Sequence, residues 1–224
     1  MPSDISTLLK PALKKREIAY EQFSGLLLKL QIKPGQFLTQ RQLAKITDMP
    51  LGAIRELIPR LEADGLIKTI PQRGLQVTYV DMNLIRNAFE LRLVLETHAA
   101  REFTRNASDR QIADLRREHE EILAGVTGEP SQALLEKAQQ TDWRFHEMMI
   151  DALDNEIISD IYRVNSIKVR LIRLSRSRIG AHDLQRVFSE HLAIISAMRD
   201  RDEKRAVEAL SAHITEARTR AFSD

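Results

Sequence analysis

The sequence predicts a mainly α-helical protein in which a compact segment of short elements precedes a bundle of long helices. Hydrophobic residues make up 43% of the 224 residues and aromatic residues only 5%, which favours helices packed through Leu, Ile and Ala. Glycine and proline, which punctuate short elements, fall mostly before residue 80, and only three glycines and one proline follow Met82. We therefore expect two domains, residues 1–80 and 81–224, with the boundary near Tyr79–Asn83.

The first segment is expected to begin with three short helices. Apolar residues recur at helical spacing through Ile18–Leu30. Thr39, with Gln42 three residues later, forms a capping-box pattern that starts a second helix. Asp48 is expected to cap the third helix, Leu51–Asp64.

The end of the third helix leads into a predicted β-hairpin. Pro59 is expected to kink or loosen the helix, and Gly65 to end it. Leu66–Ile70 and Leu75–Val80 are β-compatible runs joined by a turn that contains Gly74. Two short helices with a tight turn between them, followed by a hairpin, give the order of a winged helix-turn-helix.

Such a module suits double-stranded DNA, because its second helix fits the major groove and the hairpin tip reaches the flanking backbone. The charge distribution along the sequence is consistent with DNA binding by the first segment. Residues 1–80 hold 12 Lys and Arg against 7 Asp and Glu, a net charge of +5, whereas residues 81–224 have a net charge of −3. The basic residues expected to face DNA are Arg41, Arg55, Arg60, Lys68 and Arg73.

The second segment is predicted to be an all-α bundle. Its expected helices are Asn83–Phe103, Ser108–Val126, Ser131–Leu153, Glu156–Ser175, Asp183–Arg199 and Glu203–Phe222. Ser108 and Ser131 are predicted N-caps, and Asp202 is a candidate cap for the last helix.

Several protein classes are excluded by what the sequence lacks. It contains no cysteine, which rules out disulfide scaffolds, Cys-ligated zinc fingers, iron–sulfur clusters and thiol nucleophiles. No apolar run approaches the roughly 20 residues that span a bilayer, and the N-terminus has no apolar signal region. No phosphate-binding or nucleophile-elbow motif follows a predicted strand. We therefore expect a cytoplasmic protein without membrane contact.

Histidines in the second segment form a candidate metal-binding pattern. Asp142 and His146 lie one helical turn apart on the same face, the reach that two ligands of one cation need, although such pairs are also common as surface contacts. His191 belongs to the next-to-last helix. His213 follows apolar residues at helical spacing on the last helix, so it is expected to point inward and to need a partner. The remaining histidines are interpreted as ordinary structural or surface residues; these are His98, His119 and His182.

The first segment resembles the DNA-binding domain of GntR-type bacterial transcriptional regulators. The resemblance rests on Ile32-Lys-Pro-Gly-Gln-Phe-Leu38, Gln42-Leu-Ala44, Ile54-Arg-Glu-Leu57, Arg60-Leu-Glu-Ala-Asp-Gly-Leu66 and Arg73-Gly74. It implies DNA contacts by Arg41, Arg55, Arg73 and Gly74. Many members start the recognition helix with a Ser-Arg-Thr-Pro-like sequence, whereas this chain has Pro50-Leu-Gly-Ala53, so that Leu51 replaces a base-reading Arg and could touch a thymine methyl group.

The second segment resembles the FCD effector domain of the FadR-like branch of these regulators. In that branch an Asp-x-x-x-His pair, a Glu-His and a last-helix His supply a metal site, which implies Asp142, His146, His191 and His213 as ligands here. Three imidazoles and one carboxylate suit Zn²⁺ or Ni²⁺, with Mn²⁺ possible if waters complete an octahedron. The resemblance also implies that Arg92 holds an effector carboxylate, and a salt bridge from Arg92 to Glu96 is the alternative.

These expectations describe a homodimeric regulator that binds two-fold symmetric operator half-sites and responds to a small organic acid. The alternative from a different class is a metal-dependent hydrolase or isomerase with a metal-bound water, for which Glu190 and Glu147 are the nearest candidate bases. Adjacent helix positions differ by about 100°, so neither glutamate shares the face of its neighbouring histidine. A metal-free regulator with a structural histidine cluster is the third possibility.

Overall fold

In the computed structural model, the backbone is described for residues 5–176 and 181–223 and the side chains for residues 16–175 and 182–223. Internal contacts divide the chain into two compact units. One contains the residues up to Asp81 together with Arg170–Ser175, and the other contains Met82–Val169 and the residues from Arg176 onward. The predicted fold class is confirmed: helices dominate, and the strands lie in the first unit.

The first unit combines three helices with a small antiparallel sheet. Its elements are α1 (Ile5–Leu28), β1 (Phe37–Leu38), α2 (Gln40–Ile46), α3 (Leu51–Ala63), β2 (Ile67–Ile70) and β3 (Gly74–Val77). Both α1 and α2 pack against α3, and α3 packs against β2. The helix predicted to start at Ile18 begins earlier and ends at Leu28, and Leu30 takes a positive φ of 54°.

The turn between α2 and α3 differs from the prediction. The capping box is confirmed, because the Gln42 backbone N–H donates to Thr39 Oγ1 and the Thr39 N–H donates to the Gln42 side chain. Asp48, however, does not cap α3. It adopts the left-handed conformation with φ 50° just beyond α2, and the next N–H, that of Met49, bonds back to the Ala44 carbonyl. Aspartate tolerates this conformation, so it ends one helix instead of starting the next.

The sheet has one strand more than the predicted hairpin. β3 lies between β1 and β2, and it pairs antiparallel with both. The two-residue β1 carries too short a pattern to be recognised in the sequence. Gly74 begins β3 with φ 95°, and a Cβ there would lie 2.8 Å from the Leu38 carbonyl oxygen. Glycine is therefore required where β3 passes β1.

The second unit is a bundle of helices that match the six predicted ones to within a few residues. They are α4 (Met82–Asn106), α5 (Asp109–Ala124), α6 (Gln132–Asp151), α7 (Glu156–Arg176), α8 (Ala181–Arg199) and α9 (Glu203–Ser223). The Arg170–Ser175 stretch of α7 is grouped with the first unit. Ser108 and Ser131 cap α5 and α6 as predicted. The Asp202 carboxylate accepts from the Arg205 N–H at the start of α9.

The bundle brings the inner faces of five helices together. α4 packs against α6 and α9, α8 packs against α5 and α9, and α5 also contacts α6. α7 joins α4 through the Asn165 side chain, which donates to the Ala88 carbonyl. Phe145 and Phe188 are almost completely buried between these helices. None of the described helices has both the length and the hydropathy needed to cross a bilayer.

Candidate functional site

Three histidine rings from different helices converge in the core of the second unit. His146 on α6, His191 on α8 and His213 on α9 each have a ring nitrogen within 4.8 Å of one in each of the other two. All three side chains are at most 4% exposed. A buried polar ring needs a partner, so three such rings in one place indicate that they share the same partner.

Two of these rings approach each other at a distance suited to a shared cation. Nε2 of His191 lies 3.3 Å from Nε2 of His213. Two nitrogens that each bind a metal at about 2.1 Å lie roughly 3.0 to 3.4 Å apart in octahedral or tetrahedral geometry. Asp142, one turn before His146 on α6, places a carboxylate oxygen 3.8 Å from Nε2 of His191. The three histidines therefore converge at one point of the bundle, and the Asp142 carboxylate lies near one of them, His191.

The outer nitrogens of two of the rings face carboxylates. Nδ1 of His146 lies 2.7 Å from Glu96 on α4, and Nδ1 of His213 lies 2.7 Å from Glu190 on α8. A carboxylate only accepts, so Nδ1 of His213 donates to Glu190, and in the neutral ring the lone pair is on Nε2. Both ring nitrogens of His146 and the facing Oε2 of Glu96 are buried without a hydrogen-bond partner among the described residues. A buried ring nitrogen without a partner fits a ligand of a divalent cation, and a carboxylate behind a ligating histidine is the usual arrangement at such an ion.

Glu96 connects the histidine cluster to a buried arginine. Its Oε1 accepts from Nε of Arg92 at 2.6 Å and from the Tyr162 hydroxyl at 2.8 Å, and its Oε2 faces His146. Burial would raise the pKa of Glu96, but the Arg92 guanidinium, followed by His146, holds it at about 2. Glu96 is therefore ionised at neutral pH and can balance a positive charge on either side of it.

Burial keeps His191 and His213 neutral. Desolvation lowers the pKa of His213 to about 4, and the hydrogen bond to Glu190 offsets only part of this effect. The pKa of His191 is lowered well below its usual range, first by burial and then by His213 and His146. Metal ions bind neutral imidazole, so these two rings are in the ligating form at neutral pH.

The structure also shows the contacts of three residues near the cluster, His119, Glu190 and Arg92. His119 on α5, interpreted from the sequence as an ordinary histidine, is fully buried and places Nε2 3.2 Å from Nδ1 of His191. Glu190 does not share the face of His191, as expected, but it reaches across to His213 on α9. Arg92 forms the salt bridge to Glu96 that the sequence had left as an alternative.

The predicted DNA-contacting residues lie on the first unit. Arg41 on α2 and Arg55 on α3 are exposed, and Leu51 at the start of α3 is half-buried. The exposed Arg73 precedes β3 at the hairpin tip, where its guanidinium stacks 4.1 Å above the Phe37 ring. Arg60 instead donates to Glu17 at 2.6 Å and covers the Tyr20 ring, so its charge is balanced within the unit.

Comparison with known proteins gives the family. The FCD domain matches residues 87–216, more than half of the chain. Together with the helix-turn-helix unit that precedes it, this match decides the assignment. The chain belongs to the FCD domain family.

Relatives of this FCD-domain protein cover most of its length. The Nta operon transcriptional regulator of Aminobacter aminovorans is 27% identical over 81% of the chain and 82% of the relative. The HTH-type transcriptional repressor RspR of Escherichia coli is 23% identical over 95% and 91%. A GntR regulator from a Rhodococcus species shares the fold, with a TM-score of 0.73 at 15% identity over 94% of this chain and 98% of that one. These relatives are named as regulators, not enzymes, which decides against the hydrolase or isomerase alternative.

Proposed function

We propose that this chain is a GntR-type transcriptional regulator, a dimer whose operator binding is modulated by a small carboxylate held at a divalent metal ion in the FCD domain. The observation that carries the proposal is the convergence of three buried histidines, each with a ring nitrogen within 4.8 Å of one in the other two. The unpartnered Nε2 of His146 supports a cation rather than a hydrogen-bonded core cluster.

Asp142, His146, His191 and His213 would hold the ion. Three nitrogens and one carboxylate oxygen favour Zn²⁺ or Ni²⁺, and Mn²⁺ is acceptable where further oxygen ligands are present. Such an ion acts as a Lewis acid that binds an oxygen ligand. The protein residues orient the four ligands: Glu96 and Glu190 hold two of the imidazoles, and the surrounding phenylalanines limit the access of water.

Arg92 would bind a second charge of the effector. It is almost completely buried in the same domain, and burial, which would lower its pKa, is outweighed by Glu96, which raises it. The bond to Glu96 uses Nε, and a guanidinium has two further nitrogens with which it can hold a carboxylate. This arrangement favours a di- or tricarboxylate over neutral or cationic metabolites.

Metal analysis combined with a thermal-shift screen of the full-length protein tests this proposal. We expect about one divalent ion per chain, and stabilisation by di- and tricarboxylates but not by their amides, because a ligand of the folded state raises Tm by mass action. The same carboxylates should change operator affinity roughly 5- to 150-fold. Purified protein without metal, whose Tm is insensitive both to added Zn²⁺ or Ni²⁺ and to carboxylates, would contradict the proposal.

In the DNA-binding unit we propose that α3 enters the major groove and that the hairpin tip contacts the backbone. Arg55 on α3 would read bases, Leu51 would contact a thymine methyl group, and Arg41 and Arg73 would bind phosphates. Gly74 would allow the close approach of the hairpin backbone to DNA.

The two arginine roles predict different effects of substitution. With an operator selected from random DNA by the full-length protein, Arg55→Ala should cost about 1–3 kcal/mol of binding free energy and relax base preference at one position. Arg73→Ala should weaken all sequences similarly and reduce the salt dependence by about one phosphate contact. Fluorescence anisotropy at several salt concentrations distinguishes the two. Arg110→Ala, at an arginine in the other unit that is 92% exposed, is the matched control. Wild-type affinity for both variants would contradict this docking.

A dimer is proposed because one recognition helix reads only a few base pairs, and two-fold symmetry doubles the site. The FCD domain offers an apolar surface for this purpose. Ile157 and Ile161 lie one turn apart on α7 and are 73% and 47% exposed, and Val94 on α4 is 62% exposed. Light scattering at micromolar concentration checks the assembly, and full operator affinity of a monomer would refute it.

A further inference from the structure

His119 is a buried histidine outside the set of proposed metal ligands. It lies on α5, its ring is fully buried, and it packs against Phe145 and Phe188 with ring centroids 5.1 and 5.2 Å away. Packing alone would be served as well by an apolar ring. The two nitrogens of His119 each have a specific neighbour, which calls for a further explanation.

The proton position on His119 follows from its neighbour within α5. Nδ1 lies 2.7 Å from the Leu115 carbonyl oxygen. A carbonyl only accepts, so Nδ1 of His119 donates to it. A neutral imidazole with its proton on Nδ1 has an acceptor on Nε2.

That acceptor determines the proton position on the next ring. Nε2 of His119 lies 3.2 Å from Nδ1 of His191, so His191 donates from Nδ1. The lone pair of His191 is then on Nε2, the atom that faces His213 and Asp142. The opposite tautomer would leave Nδ1 of His191 facing a second acceptor and would place a proton on the nitrogen that faces the centre.

His191 therefore has a different kind of support from the other two imidazoles. His213 is hydrogen-bonded to a carboxylate and His146 lies against one, whereas His191 is held by a neutral ring that is itself held by a main-chain carbonyl. The relay from Leu115 through His119 adds no negative charge next to His191. α5, which contributes none of the four ligands, is connected to the centre by this relay.

We propose that His119 is a positioning residue that fixes the tautomer and the ring orientation of His191, so that Nε2 of His191 is available to the divalent ion. The inference rests on the proposed metal centre. His119 acts through His191 and does not itself touch the ion.

Two substitutions separate this role from packing. His119→Phe keeps an aromatic ring in the apolar pocket but removes the acceptor. His119→Gln loses the ring but can place its amide oxygen near the position of Nε2. A packing role predicts that Phe is the better replacement, and a positioning role predicts that Gln is. His98→Phe, at an exposed histidine on α4, controls for the loss of a histidine elsewhere.

The first measurement uses the metal-free protein. Long-range ¹H–¹⁵N correlation spectra report which ring nitrogen of His191 carries the proton. We expect the Nδ1–H form in the wild type and in His119→Gln, and a mixture or the Nε2–H form in His119→Phe. The same His191 tautomer in His119→Phe as in the wild type overturns the inference, whether or not the protein binds metal.

The second measurement is titration of the full-length protein with Ni²⁺ or Zn²⁺. We expect His119→Phe to lose about 10- to 100-fold in metal affinity, the usual effect of removing a residue that supports a ligand, while His119→Gln and His98→Phe stay within about threefold of the wild type. Wild-type affinity in His119→Phe overturns the role of His119 but leaves the metal centre intact. A wild-type protein that binds no metal refutes the proposed function, and the tautomer spectra then still decide the effect of His119 on His191.

Discussion

His213→Ala is expected to abolish the effector's influence on operator binding and to leave DNA binding itself largely unchanged. The substitution removes one of three ligating nitrogens and leaves Glu190 without the ring that it supports. Metal affinity should fall more than about 100-fold, beyond the loss caused by removing a supporting residue. The roughly 5- to 150-fold response to carboxylate should disappear with the ion. The residues proposed to contact DNA lie in the other unit of the chain, so affinity without effector should be preserved.

Metal content by mass spectrometry and operator binding with and without a tricarboxylate measure the two effects separately. His182→Ala is the matched control, because His182 lies on α8 but is exposed. Stoichiometric metal and a normal effector response in His213→Ala would show that the four-ligand assignment is wrong and that His213 has a structural role.

Glu96→Gln is expected to lower the free energy of unfolding of the metal-free protein by about 3–5 kcal/mol, because it leaves the buried Arg92 without its counter-charge. The double substitution Arg92→Met/Glu96→Leu removes both charges and should recover most of the loss. Urea denaturation measures these differences, with the exposed Glu90→Gln on the same helix as control. A loss below about 1 kcal/mol for Glu96→Gln would contradict the assignment of Glu96 as the counter-charge of Arg92.

The ion pair between Glu96 and Arg92 also contributes to the loss of stability in acid. The folded-state pKa of Glu96 is about 2, below its ordinary value of 4.5, so its contribution to stability is complete above about pH 4.5 and is lost as the pH falls toward 2. The pKa of His213 is lowered from 6.5 to about 4, so the unfolded chain binds a proton at this histidine at a higher pH than the folded chain does. The protein therefore also loses stability as the pH falls from about 6.5 to about 4. The ordinary histidine pKa of 6.5 therefore does not describe the protonation of His213 in the folded chain.

Sequence patterns predicted most of the fold because amphipathic periodicity and capping residues are local. The capping box at Thr39 and the caps at Ser108 and Ser131 were recognisable from residues three positions apart. Asp48 was assigned to the wrong helix, because an aspartate between two helices can serve either one, and only the backbone conformation decides. β1 has two residues and therefore no period to detect.

The candidate site was predictable in part. The helical spacing of Asp142 and His146 predicted a shared face, but 45 residues separate His146 from His191, and only the family resemblance connected them. His119 was missed although a signal exists. It occupies the apolar stripe of α5 formed by Ile112, Leu115 and Ile122, where a polar ring needs a partner. A polar ring among apolar neighbours was the reason for expecting a partner for His213, and the same reasoning applies to His119 on α5.

The opposed imidazoles of His191 and His213 have a consequence for the lifetime of the protein. Their Nε2 atoms lie 3.3 Å apart, and with both protons on Nδ1 neither nitrogen can donate to the other. In these proposed tautomers the metal-free domain carries an unfavourable contact in its core, and an ion bound between the rings would convert that contact into two bonds. Because an ion that binds only the folded state stabilises it in proportion to the logarithm of its free concentration, scarcity of metal should increase the unfolded fraction. We expect proteases to remove those molecules first, so that the cellular amount of this regulator follows the supply of the ion.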